Sequence, residues 1–147
     1  MAFSRPQIQT CFVQLNTAGA VISEFFFPRG ARIKRYFAIP SVAQAAHSTI
    51  TDEIVFVNAG TDGSGSTTLA TLTNDSDTAA TTKIKEGAWV AHDALEINTE
   101  SRPVSAAATD VADLIAIGGV VKATLTGAGT TPTANWFTIG VEYVESS

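Results

Sequence analysis

Trp136-Phe137-Thr138-Ile139-Gly140-Val141-Glu142-Tyr143-Val144 decides how the chain is read. Every second residue of this run (Phe137, Ile139, Val141, Tyr143) is apolar, while the set between them (Trp136, Thr138, Gly140, Glu142, Val144) is mixed. Successive side chains of a strand point to opposite faces, so this period of two predicts a strand with the Phe137 set on the core. Upstream, Val121, Ala123 and Leu125 alternate with Val120, Lys122, Thr124 and Thr126. Gly127-Ala128-Gly129-Thr130-Thr131-Pro132 separates the two runs and has turn chemistry, so they read as one closing hairpin.

The pattern continues toward the N-terminus. Strands are expected at residues 10–17, 20–27, 31–39, 49–58 and 69–73, punctuated by Ala18-Gly19, Pro28-Arg29-Gly30, Pro40 and Asn74-Asp75-Ser76-Asp77. Within 69–73, Leu69, Thr71 and Thr73 are expected on one side and Ala70 and Leu72 on the other. Residues 59–68 hold Gly60, Gly63 and Gly65 and read as a flexible loop. Residues 41–48 read as a loop or one helical turn, 88–97 as a strand or short helix, and 98–109 as a polar connection. About eight antiparallel strands with almost no helical periodicity predict an all-β, single-domain β-sandwich of jelly-roll type. Residues 1–9 contain Arg5-Pro6 and no packing pattern, so they are expected to form a short extended N-terminal arm, leaving 10–147 for the sandwich.

Composition bounds the function. At 147 residues the chain has the size of one domain and buries enough surface to need no disulfide or metal. Only 16% of it is charged, below the roughly 25% usual for soluble chains. A lightly charged surface suits a protein that is buried in an assembly. The single cysteine, Cys11, excludes an internal disulfide and reads as a small buried hydrophobe. No apolar run is long enough to span a bilayer, and none follows Arg5 as a signal peptide requires, so folding in a cytoplasm is expected. Net charge is −5, unevenly spread: residues 1–40 hold five bases against Glu24, and residues 41–147 hold four bases against thirteen acids. An acidic chain of this kind is not expected to bind nucleic acid.

Residues that carry chemistry are sparse. His47 and His92 are far apart, and with one cysteine they make no zinc-ligand spacing. His92 and Asp93 are adjacent, which in a strand sends them to opposite faces. No nucleophile turn of the Gly-x-Ser-x-Gly kind follows an apolar strand; Gly63-Ser64-Gly65-Ser66 reads as a linker. In Gly60-Thr61-Asp62-Gly63-Ser64-Gly65-Ser66-Thr67, Ser66 stands where a phosphate-binding loop needs lysine. Asp62 and the 74–77 turn each supply too few oxygens for calcium. No enzymatic activity, cofactor or metal is expected.

Partner-facing residues are better candidates. In Phe25-Phe26-Phe27, consecutive strand positions send rings to both faces, so one ring leaves its own core unless both faces are covered. Arg29, Arg32, Lys34 and Arg35 lie along one expected strand, Arg29 and Arg35 on one face and Arg32 and Lys34 on the other; they serve either as solvated edge charges or as a partner-facing patch. With Arg5 in the arm, these eight residues form the candidate interface. Trp89 and Trp136 are candidates for sugar stacking or for core and interface packing.

Three stretches carry a family resemblance. They are Pro28-Arg29-Gly30-Ala31-Arg32-Ile33, the Gly/Ser/Thr loop over residues 58–69, and Gly119-Val120-Val121-Lys122-Ala123-Thr124-Leu125-Thr126 through Phe137-Thr138-Ile139-Gly140-Val141-Glu142-Tyr143-Val144. In style the chain resembles the small virion proteins of tailed bacteriophages, in particular capsid decoration (cement) proteins. The resemblance implies a jelly-roll homo-oligomer, a trimer in preference to a dimer, made in the host cytoplasm. It further implies a place on the outer capsid surface, bridging major capsid protein subunits, with no nucleic acid, no membrane and no catalytic residue involved. Three other readings stand beside it: a carbohydrate-binding or receptor-binding β-sandwich; another virion part such as a tail-tube, head-completion or fibre-base protein; and a cupin-type enzyme, which two distant histidines disfavour.

Overall fold

Phe137, Ile139, Val141 and Tyr143 are buried, as their alternation requires, and so are Val121, Ala123 and Leu125. The computed structural model describes residues 5–15, 20–49, 51–76, 83–99, 113–127 and 135–145. Ten strands and no helix are found among them: β1 (Gln7–Leu15), β2 (Ala20–Phe27), β3 (Ala31–Pro40), β4 (Glu53–Gly60), β5 (Thr67–Thr73), β6 (Ile84–Lys85), β7 (Leu95–Asn98), β8 (Leu114–Ile115), β9 (Gly119–Thr126) and β10 (Asn135–Glu145).

The strands form two sheets. The first has the order β1-β10-β3-β7, with β8 also paired to β3, and the second the order β2-β9-β4-β5-β6. The antiparallel pairs β1/β10, β2/β9, β3/β7 and β4/β5 are nested in sequence, each inside the one before. That nesting is the winding of a jelly roll, in which a long folded ribbon rolls into two facing sheets. β6 adds a short parallel edge beside β5.

The expectation of a closing hairpin is corrected by this winding. β9 pairs with β2 and β4, while β10 pairs with β1 and β3, so the runs read as a closing hairpin lie in opposite sheets. Residues 128–132 of the supposed tip lie outside the described residues. Likewise the Pro28-Arg29-Gly30 turn carries the chain from β2 in one sheet to β3 in the other. Alternation fixes which face of a strand is buried, and turn residues fix where the chain reverses. Neither says whether the next strand pairs beside the last or crosses to cover the opposite sheet.

Bulges account for two further departures. Between β3 and β10 the register passes from Arg35↔Glu142 to Ile33↔Tyr143, leaving Lys34 as an extra residue. Ile33, Tyr36 and Ala38 therefore all reach the core, and Phe37 faces out. In β5, Leu69 is skipped between Thr68↔Val57 and Ala70↔Phe56, so Leu69, Ala70 and Leu72 are all buried and the simple two-sided split fails. Of residues 88–97 only the end is strand: Trp89 bridges Gln44, and the chain turns at His92, whose φ is 62°. Residues 41–48 contain no helix.

The N-terminal strand also starts earlier than expected. Gln7, Ile8 and Gln9, assigned from sequence to an extended arm, pair with Tyr143, Glu142 and Val141. Arg5 and Pro6 are exposed ahead of β1, and residues 1–4 lie outside the described set. Between the sheets, Phe27 meets Tyr143 edge-on at 4.9 Å and Trp89 meets Phe137 edge-on at 5.3 Å. Burial of each such ring contributes roughly 1.5–3 kcal/mol.

Candidate functional site

A sandwich with both inner faces packed together can meet partners only with its outer faces, edges and loops. On the outer face of the first sheet, β1 presents Ile8 and Phe12 and β10 presents Trp136, all exposed. Phe12 lies opposite Thr138 and Gln14 opposite Trp136, so Phe12 and Trp136 are diagonal neighbours on one face. Their rings stack at 4.9 Å with an interplanar angle of 14°. Phe12 remains 66% exposed in spite of that stack. The backbone of Trp136 is fixed by Ser41, whose Oγ accepts its N–H at 2.9 Å and whose N–H donates to its carbonyl at 2.8 Å.

β2, the end strand of the second sheet, exposes Ile22 and Phe26 on its own outer face. The two end strands are neighbours across the sandwich: Gln9 Nε2 donates to the Phe26 carbonyl at 2.9 Å and to the Tyr143 hydroxyl at 3.3 Å. These exposed apolar side chains therefore fall on two opposite faces, Ile8, Phe12 and Trp136 on the first sheet and Ile22 and Phe26 on the second. Isolated exposed apolar residues are ordinary, but Ile8 together with the stacked Phe12 and Trp136 on one sheet face has the character of a contact surface.

The residues proposed from sequence are dispersed. Phe25 and Phe27 are 2% and 1% exposed and belong to the core, so only Phe26 of the triplet faces out. Arg5 is exposed before β1. Arg29 sits in the β2–β3 turn, 3.6 Å from Glu145. Because of the bulge at Lys34, Arg32 and Arg35 face the outward residues Val144 and Glu142, which corrects the face assignment read from sequence. Arg32 is exposed and Lys34 half-buried. Arg35 lies 2.7 Å from Glu96 and 3.3 Å from Glu142, and its guanidinium sits 4.5 Å above the Phe37 ring. Acidic neighbours thus accompany Arg29 and Arg35, and the four bases make no single patch.

Ile8 and Phe12 were missed by the sequence reading. The signal was present: Ile8, Thr10, Phe12 and Gln14 alternate with Gln7, Gln9, Cys11 and Val13. Starting the strand at Thr10 hid it. Cys11 is half-buried and packs against the core.

Trp89 is 1% exposed, leaving Trp136 as the accessible indole. Among the described residues no three His, Cys, Asp or Glu side chains gather in a way that could hold a metal. His47 Nδ1 accepts the Thr49 N–H at 3.0 Å, and His92 occupies its turn. Asp62 Oδ1 accepts from the Ser64 backbone N–H at 3.0 Å and from Ser64 Oγ at 2.8 Å, and these bonds hold its carboxyl below the ordinary aspartate value. The 61–66 loop is therefore closed by its own side chains, and Lys122 Nζ donates to Gly63 O at 2.8 Å. Comparison of the chain with family models, with curated proteins and with solved structures finds no match.

Proposed function

We propose that this protein is a structural component of a virion, a capsid decoration protein that docks on the outer capsid surface and stabilises contacts between major capsid subunits. The observation that carries the reading is the outward stack of Phe12 on Trp136, flanked by Ile8 on the same sheet face. A closed jelly roll gains nothing for its own core from aromatic rings placed there. Covering them with another protein removes apolar surface from water, at roughly 25 cal/mol per Å². The capsid as partner comes from the family resemblance of the three sequence stretches, and the jelly-roll winding agrees with it. A decoration protein acts by mass action: it binds the assembled lattice and so stabilises that state. Many copies of one modest contact multiply the effect.

The test uses virions of the replicon that encodes the chain. Mass spectrometry of banded particles and immunogold labelling with an antibody to the purified protein are expected to place it on the head, in fixed ratio to the major capsid protein. Absence from the particle band overturns the proposal, and label confined to the tail replaces decoration with a tail role. A second reading, glycan binding, is favoured by the exposed indole of Trp136. Its signature is perturbation of the Trp136 indole signal by oligosaccharides in solution.

A further inference from the structure

Asp62-Gly63 is the one Asp-Gly pair in the sequence, and no Asn-Gly pair occurs. A glycine after an aspartate leaves the next amide nitrogen unshielded by a side chain, so an aspartate closes onto its own backbone most readily there. The Gly63 nitrogen attacks Asp62 Cγ and gives up its proton, the bond from Cγ to its hydroxyl breaks, and water leaves, closing a succinimide ring. Water then opens the ring at either carbonyl. One opening restores aspartate, and the other routes the backbone through the side chain as isoaspartate. No oxidant, reductant or other reagent is consumed. The carboxyl must be protonated for its oxygen to leave as water, and Cγ must swing onto the Gly63 nitrogen.

The folded loop opposes both requirements. Asp62 Oδ1 accepts from the Ser64 N–H at 3.0 Å and from the Ser64 hydroxyl at 2.8 Å, which anchors the carboxyl over Ser64. These donors favour the carboxylate over the acid. Lys122 reaches from β9, and its Nζ donates to the Gly63 carbonyl at 2.8 Å, which ties the peptide after Gly63 to the sheet. Gly63 has φ 77°, where a bulkier residue is strained, so the turn cannot shield that nitrogen with a side chain. Asp62 itself is exposed, and water reaches it freely.

We propose that Asp62 is a latent isomerisation site, at which Ser64 and Lys122 block succinimide closure onto Gly63 while the loop is folded. When they release it, the β4–β5 turn gains a methylene in its backbone and loses the carboxylate from Ser64. The site belongs to this loop alone and holds or fails independently of capsid binding.

The test incubates the full chain, folded and unfolded in guanidinium chloride, at about pH 6. Peptide mapping measures isoaspartate at each aspartate. In the unfolded chain Asp62 is expected to isomerise first, and in the folded chain about tenfold or more slowly. Ser64→Ala keeps the N–H and loses the hydroxyl, and is expected to speed the folded reaction at Asp62 about threefold. Lys122→Met frees the Gly63 carbonyl and is expected to speed it as well. Ser64→Thr keeps a hydroxyl and should retain the unaltered rate. Asp75, in another turn, reports any general loosening and should not change in any variant. The proposal is overturned by equal Asp62 rates in the folded and unfolded chains, or by another aspartate isomerising first when unfolded. It is equally overturned if Ser64→Ala or Lys122→Met leaves the Asp62 rate unchanged, if Ser64→Thr matches Ser64→Ala, or if Asp75 accelerates as much as Asp62.

Discussion

The ring of Phe37 packs against Gly140, its cross-strand partner, so closely that a Cβ at position 140 would stand 2.8 Å from the Phe37 Cε1 atom and 2.8 Å from the Gln9 carbonyl oxygen. Phe37 is only 4% exposed although it points away from the core. Gly140 provides the slot, and the Arg35 guanidinium closes it from above. Gly140→Ala is therefore expected to destabilise the fold by about 1–3 kcal/mol through overpacking. Urea unfolding measures this as a lower midpoint with an unchanged slope. An unaltered midpoint would show that the ring moves aside without cost.

Asn74 ties three segments together at one end of the sandwich. Its Oδ1 accepts the buried Asp52 N–H at 2.7 Å, and its Nδ2 donates to the Ala45 carbonyl at 3.0 Å. Thr73 Oγ1 donates to the Asp52 carbonyl at 2.9 Å, and Gln44 Nε2 donates to the Asp52 carboxylate. Asn74→Ala leaves the Asp52 N–H without its acceptor, at a cost of about 1–3 kcal/mol. Hydrogen exchange should show the Asp52 and His47 amides opening first, since the His47 N–H donates to the Asn74 carbonyl. Exchange rates at these two amides equal to those of the unaltered protein would contradict this account.

Asp62 gives a pH signature. The Ser64 backbone N–H, and after it the Ser64 hydroxyl, favour the carboxylate and lower its pKa in the folded state. A depressed folded value means the loop bonds contribute fully above the unfolded value of about 3.9 and fade as pH falls through the folded value. Ser64→Ala removes the hydroxyl and keeps the N–H, so the pKa should rise part of the way back. Carboxyl-carbon NMR titration measures both values. Identical titrations in the two proteins would remove the hydroxyl from the explanation.

Phe12 and Phe27 separate surface from core. Phe27→Ala empties a fully buried site and should cost about 3–5 kcal/mol. Phe12→Ala loses only an exposed stack on Trp136, worth about 0.5–1.5 kcal/mol. On particles the order should reverse for any protein that still folds, with Phe12→Ala losing occupancy despite its near-normal thermal midpoint. Full occupancy of Phe12→Ala particles would move the docking surface elsewhere.

Several of these features were legible before any coordinates. The alternation in β10 assigned Phe137, Ile139, Val141 and Tyr143 to the core and Trp136 to the outside. The Phe25-Phe26-Phe27 triplet predicted that a ring leaves its own core unless both faces are covered, because adjacent strand positions cannot share a face, and Phe26 is the ring that faces out. Gly60, Gly63 and Gly65 marked the β4–β5 turn, the one hairpin formed by consecutive strands that pair antiparallel among the described residues. Other features were hidden for definite reasons. The bulges at Lys34 and Leu69 shift the phase of alternation, and nothing local in the sequence announces them. The contact surface draws Ile8 and Phe12 from one end of the chain and Trp136 from the other, and only pairing of β1 with β10 brings them together.

By itself, the sequence determined which residues turn inward along most strands, because the pleat repeats every two residues and water rejects apolar side chains locally. The tertiary structure alone decided which strand lies beside which. Pairing joins backbone groups that are the same in every residue, so the choice falls to how two rolled sheets best cover each other. That choice sent β9 and β10 to opposite sheets and left β1 at the edge.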